Sequence, residues 1–173
     1  MKIRSLLPWI ALMCLETGSV AAQVTSVNVG RIGQSQSGSM NEQAIDLGSA
    51  TGDGRSSVRA GSLTQNQSGL ANRQELGVGN ASDQGSANVS IGAAVQNQEG
   101  MYNRQSVQVG NASNQGVTEV HVGAIVQGQG GLNNSQSVQI GNASQGASRV
   151  SVGTVVQEQK GVGKTQKINI GNQ

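Results

Sequence analysis

From Asn103 to Val109 the chain alternates without a break, Asn103-x-Gln105-x-Val107-x-Val109, and it does so again at Asn134-x-Gln136-x-Val138-x-Ile140. A period of two places these residues on one face of an extended strand. A shorter alternation precedes each run: Ile125-x-Gln127-x-Gln129, with Ile32, Leu63, Ala94 and Val155 at the matching positions of other segments. Further upstream, Val120 and Val122 alternate in the opposite phase, and the phase changes beside Gly123. A glycine there lets a bulge or corner re-aim the strand. The pattern predicts extended arms joined by tight turns, with no helix beyond the N-terminal segment.

The arms recur in five units. Gly30, Gly61, Gly92, Gly123 and Gly153 mark one point in each, at spacings of 31, 31, 31 and 30 residues. A Gln-x-Gln pair follows every one: Gln34/Gln36, Gln65/Gln67, Gln96/Gln98, Gln127/Gln129 and Gln157/Gln159. Next come Gly38, Gly69, Gly100, Gly131 and Gly161, then Asn41, Asn72, Asn103 and Asn134, with Lys164 in the last unit. Gln43, Gln74, Gln105, Gln136 and Gln166 lie two residues on, and Gly48, Gly79, Gly110, Gly141 and Gly171 close the units. Chance does not hold so many positions in register. The expected fold is all-β, a β-solenoid of five strand-turn-strand repeats of about 31 residues, near 27–57, 58–88, 89–119, 120–149 and 150–173. In each G-x-x-N turn, Gly permits positive φ and Asn tolerates it. The Asn-Ala-Ser segments at Asn80, Asn111 and Asn142 supply the other turn.

One such unit buries too little to stand alone. Stacked at about 4.8 Å per layer, five units reach about 24 Å, and identical residues fall over one another. Val and Ile then form apolar columns, while inward Gln and Asn bond along the stack to their own kind. That solves the burial problem, because a buried amide without a partner costs roughly 1–3 kcal/mol. Both end layers are expected to present unpaired strand edges, which invite another copy. Whether a unit has two faces or makes a three-sided coil is open at this stage.

Composition agrees with thin stacked β structure. The chain has 173 residues with 26 Gly, 22 Gln, 21 Ser and 15 Asn, but no Phe and only 12% charged residues. An ordinary enzyme domain needs bulkier apolar residues and about a quarter charged ones. Residues 1–22 read as a secretory signal peptide: Lys2 and Arg4 precede the apolar run Leu6 to Leu15, and Val20-Ala21-Ala22 offers small residues for cleavage before Gln23. The run is too short to span a bilayer, so residues 23–173 are expected to be secreted without a transmembrane anchor. They carry 9 Lys+Arg and 8 Asp+Glu and no cysteine. Near-neutral charge gives no electrostatic case for nucleic acid.

The run Q-x-G-x-x-N-x-Q, at Gln98, Gly100, Asn103 and Gln105 and equally at Gln36 to Gln43 and Gln67 to Gln74, resembles the curlin repeat. Curlins are secreted subunits of bacterial curli fibres, with Gln-x-Gly-x-x-Asn turns between the paired strands of a β-solenoid. The resemblance covers the turn and adjoining arm of all five units. Curlin units are shorter, their downstream Gln lies one place later than Gln108 does here, and their aromatic residues are absent. The Fap-type biofilm amyloids, with longer Asn/Gln-rich repeats, are the neighbouring comparison. The resemblance implies a self-assembling functional amyloid of an extracellular biofilm and adhesion matrix. It also implies a related nucleator subunit and export through an outer-membrane channel.

The fifth unit differs, because Lys160, Lys164 and Lys167 gather there. Terminal repeats are commonly atypical, solubilising caps; alternatively this end attaches to an acidic partner, a lipid surface or a nucleator. Other motifs carry less. Gly161-Val162-Gly163-Lys164-Thr165 matches the end of a phosphate-binding loop, but the leading Gly is replaced by Glu158 and no strand-to-helix context follows. His121 is the sole histidine and makes neither a zinc set nor a catalytic pair. Asn-Ala-Ser matches a glycosylation acceptor, yet its recurrence at one turn is accounted for by backbone geometry. No catalytic, cofactor or metal site is expected. A second function class stays open: a non-fibrillar solenoid adhesin or surface-binding module. Ser106 to Ser113 and Ser137 to Ser144 resemble the heads of trimeric autotransporters, although no coiled-coil stalk or membrane barrel pattern occurs in these residues. An ice binder would need a regular Thr array, and Thr is sparse.

Overall fold

The computed structural model describes residues 24–173, and the signal sequence read at residues 1–22 lies outside them. Strands β1 (Val24–Val27), β2 (Ile32–Ser39) and β3 (Glu42–Leu47) make the first coil. The second contains β4 (Arg55–Val58), β5 (Leu63–Leu70) and β6 (Arg73–Val78), and the third β7 (Ser86–Val89), β8 (Val95–Met101) and β9 (Arg104–Val109). Next come β10 (Val117–Val120), β11 (Ile125–Leu132) and β12 (Ser135–Ile140). The last coil is β13 (Ala147–Val150), β14 (Val155–Val162) and β15 (Thr165–Ile170).

Each coil has three sides. Equivalent strands stack into three five-stranded parallel sheets, in the orders β1-β4-β7-β10-β13, β2-β5-β8-β11-β14 and β3-β6-β9-β12-β15. The described residues therefore form an all-β solenoid of five coils. Its third side is the short one: Val120 ends a four-residue strand of its own, and Val122 sits in the corner that follows. That corner is where the two phases meet. Ala124 takes φ 69° there, matched by Ser62, Ala93 and Thr154 in other coils. Coils begin at Val24, Arg55, Ser86, Val117 and Ala147, a uniform three residues ahead of the repeat boundaries read from the sequence.

Register holds column by column: Gln127 lies over Gln96 and under Gln157, and Val107 lies between Leu76 and Val138. The 30-residue spacing late in the chain does not disturb it. One residue is missing from the turn after Ala143, where Ser144-Gln145-Gly146 replaces the four-residue Ser113-Asn114-Gln115-Gly116, so the pairing Val117↔Ala147 continues the ladder. Apolar columns run inside, including Val58/Val89/Val120/Val150, Leu63/Ala94/Ile125/Val155 and Val78/Val109/Ile140. Alternation along β6 and β14 turns the charged residues outward and sets Gln74, Gln157 and Gln159 inward beside the apolar ones.

Candidate functional site

Three columns of glutamine run the length of the core. In the first, Gln34 Nε2 donates to Gln65 Oε1 (3.0 Å), Gln65 to Gln96 (2.7 Å), Gln96 to Gln127 (2.9 Å) and Gln127 to Gln157 (2.8 Å). The second joins Gln36, Gln67, Gln98, Gln129 and Gln159 at 2.8–3.3 Å. The third joins Gln43, Gln74, Gln105, Gln136 and Gln166 at 2.9–3.0 Å. Every amide in these columns donates toward the C-terminal coil. The columns are therefore polar chains, with free oxygens at one end and free N–H groups at the other.

The third column also ties two sides of the coil together. The remaining Nε2 hydrogen of Gln74 reaches the Asn66 carbonyl (3.0 Å), and that of Gln105 the Asn97 carbonyl (3.0 Å), across the interior from β6 and β9 to β5 and β8. Buried amides at 0% exposure, such as Gln65, Gln74 and Gln105, are tolerated because both halves of each are bonded.

The asparagines act differently from the expected side-chain ladder. Asn103 Nδ2 donates to the Glu99 carbonyl of its own turn and to the Gly131 carbonyl of the next coil, and its Oδ1 accepts from the Asn134 N–H. Asn41, Asn72 and Asn134 repeat this set. The asparagine thus caps the backbone of two successive turns. Its own φ is not positive. Besides the glycine, the left-handed residue is the one before it: Met40, Ala71, Tyr102, Asn133 or Gly163. Asn is selected here for its amide, not for its backbone tolerance. Lys164 donates its N–H to Asn134 Oδ1 (2.9 Å) but carries no oxygen to pass the column on.

A second asparagine column was legible only as a turn. Ser49 N–H donates to Asn80 Oδ1, Asn80 to Asn111, Asn111 to Asn142 and Asn142 to Asn172, at 2.9–3.1 Å. It runs with the opposite sense to the first, since here each oxygen accepts from the coil on its N-terminal side. Its signal in the sequence is the Gly-Asn pair that recurs at Gly79-Asn80, Gly110-Asn111, Gly141-Asn142 and Gly171-Asn172. Missed altogether were the inward hydroxyls of the short strands. Thr118 Oγ1 donates to the Gly110 carbonyl of the preceding coil (3.0 Å), whereas Ser56 and Ser148 donate to the Gly79 and Gly171 carbonyls that close their own coils. Single hydroxyls in a four-residue strand, alternating with Ala87 in the third coil, leave no periodic trace.

Among the described residues nothing covers the end coils. Ile32 of the first coil is 48% exposed, whereas its column-mates Leu63 and Ile125 are at 0%. At the other end, Gln159 Nε2 is the only buried side-chain nitrogen or oxygen among the described residues without a hydrogen-bond partner. Lys160, Lys164 and Lys167 are all exposed on this last coil, and none is in an ion pair among the described residues.

His121 is exposed beyond β10, and no group of three or more His, Cys, Asp or Glu among the described residues is placed to hold a metal ion. Gly161 to Thr165 span the turn between β14 and β15, with no helix following. Tyr102 is a turn-side surface residue, 55% exposed. In comparisons with known proteins, the chain matches no protein-family model, no curated protein and no solved structure.

Proposed function

We propose that this chain is a secreted structural subunit that stacks end to end into extracellular, curli-like amyloid fibres of a biofilm or adhesion matrix. The observation that carries the reading is that, among the described residues, nothing caps either end of the stack. Each of the three sheets stops at an edge strand with unpaired backbone groups, and the apolar and amide columns stop with it. Natural sheets usually cover or blunt such edges. Here the inward sets of the two end coils match column for column: Val150 with Val27, Val155 with Ile32, Gln157 with Gln34, Gln159 with Gln36, Gln166 with Gln43 and Ile168 with Ile45. A second copy thus offers each of these columns its next member. The resemblance of the Q-x-G-x-x-N-x-Q runs to curlin repeats supports the biological setting, including a nucleator subunit and an outer-membrane channel.

The test is incubation of the purified chain from Gln23 onward without denaturant. Thioflavin-positive filaments with a meridional reflection near 4.8 Å are the expected result. A protein that stays monomeric at high concentration overturns the fibre reading and favours the non-fibrillar adhesin.

A further inference from the structure

The two ends of the solenoid differ in a way that fixes how one copy meets the next. Three independent features of the end coils have a direction. Among the described residues the glutamine columns leave Oε1 atoms free on Gln34, Gln36 and Gln43 and direct Nε2 toward the far end, where that of Gln159 is buried and unpartnered. The first coil carries Arg31 against Glu42, Asp46 and Asp53, a formal −2, while the last carries Arg149, Lys160, Lys164 and Lys167 against Glu158, a formal +3. Parallel in-register pairing, as in all three sheets, needs the C-terminal coil of one copy on the N-terminal coil of another.

We infer that the lysine-rich last coil is a docking surface for the acidic first coil of a second copy of this chain, and that fibres grow with this single polarity. The inference rests on the fibre reading above. Continued register sets Gln159 against Gln36 and Lys167 against Ala44 of the incoming copy. On β3 the outward residues on either side of Ala44 are Glu42 and Asp46. Both lie diagonal to Lys167, within reach of a long side chain. In its own column, Glu42 already makes a cross-coil ion pair within one copy, where Arg73 Nη1 is 3.6 Å from Glu42 Oε2. The opposite arrangements fail on all three counts. Two last coils face to face bring Lys160, Lys164 and Lys167 against their own kind and set donor against donor. Two first coils bring carboxylates together and set oxygen against oxygen.

Exposed ion pairs add little to a contact once formed and are screened by salt. Their effect therefore falls on the encounter, where complementary patches raise association rates by factors of about 10 to 1,000. Elongation of the chain from Gln23, seeded with its own fragments, is measured at low ionic strength and at roughly 0.5 M salt. The wild type is expected to slow by about tenfold or more at high salt. A chain with Lys160→Glu, Lys164→Glu and Lys167→Glu should slow comparably at low salt. Adding Glu42→Lys and Asp46→Lys to that same chain should restore growth between its own copies. The rescue also excludes misfolding as the cause of the first defect. Wild-type fibres that elongate equally at both salts, a charge-reversed chain that grows like wild type, or a reversal that the compensating pair fails to rescue overturns the polar junction but leaves the fibre reading intact. A wild-type chain that never elongates overturns both.

Discussion

Asn103 Nδ2 donates to the carbonyl oxygen of Gly131 at 3.0 Å, across the boundary between two coils. The same amide holds Glu99 O in its own turn and accepts the Asn134 N–H. Asn103→Ala therefore strips three backbone groups of their partner near a side chain that is only 1% exposed. A loss of roughly 2–3 kcal/mol is expected. Lys164→Ala removes nothing equivalent, since the bond at that position is made by its backbone, and should stay within about 0.5 kcal/mol. Urea denaturation of the two monomers side by side checks the contrast; equal midpoints would show that the asparagine is not holding the turns.

In the same turn, Gly100 is constrained by the coil next to it rather than by its conformational freedom alone. A Cβ built there lies 2.0 Å from the Gly131 carbonyl oxygen, and φ is +110°. Gly100→Ala must push two coils apart, at an expected cost of about 3 kcal/mol or more. Gly161 has a similar φ of +119°, but none of the described coils faces it as Gly131 faces Gly100, and its nearest contact is the flexible Lys164 side chain at 3.2 Å. Gly161→Ala should cost the monomer about 1–2 kcal/mol, the backbone strain alone. Thermal unfolding of both variants measures the difference.

Much of this architecture was legible because stacking copies the same constraint into every coil. Gln96, Gln98 and Gln105 could be assigned inward positions from alternation alone, and the structure places each of them in a bonded column. The corner at Gly123 and Ala124 was readable from the jump of phase between Val122 and Ile125. The third side was not. Its strands are four residues long, too short for alternation to declare itself, and its inward positions hold Ser56, Ala87, Thr118 and Ser148, which look like loop residues. The asparagine roles were blurred for a related reason. Asn is common both where φ is positive and where an amide must cap backbone, and only coordinates separate Tyr102, which takes φ 56°, from Asn103 beside it.

That separation yields a stabilising change. Tyr102 is 55% exposed and held in the left-handed region, where a side chain with a Cβ costs roughly 1–2 kcal/mol. The same column already carries Asn133 and Gly163 in later coils. Tyr102→Asn should raise stability by up to about 1 kcal/mol without touching the core. Differential scanning calorimetry would register it as a higher melting temperature; a fall would mean that the ring contributes packing at the turn.

Glutamine columns should show a gradient from the middle of the stack to its ends. Gln105→Leu deprives Gln74 Nε2 and Gln136 Oε1 of their shared partner and frees the Asn97 carbonyl. A cost of roughly 1–3 kcal/mol is expected. Gln166 is exposed and bonds only one neighbouring coil, so Gln166→Leu should cost the monomer less than about 1 kcal/mol. In an assembled fibre the two positions become equivalent. Chemical denaturation of monomer and fibre would then give unequal losses in the first and similar losses in the second. Unequal losses in both states would mean that the end coil stays open.

The N-terminal asparagine column stops one member short. Ser49 donates its backbone N–H to Asn80 Oδ1 at 3.0 Å, but its hydroxyl turns to Asp46 Oδ1 at 2.7 Å and leaves no amide oxygen facing the preceding copy. Stacked in the proposed polarity, Asn172 of that copy would donate its N–H to this position, as Asn142 does to Asn172 within the chain. Ser49→Asn supplies the missing oxygen. The residue is exposed in the monomer, so monomer stability should move by no more than about 0.5 kcal/mol. One added hydrogen bond per junction, worth about 1 kcal/mol, should slow subunit loss from fibre ends about fivefold. Depolymerisation after dilution, followed by light scattering, reads this directly. Unchanged loss, with the monomer equally unchanged, would place the junction somewhere other than coil one on coil five.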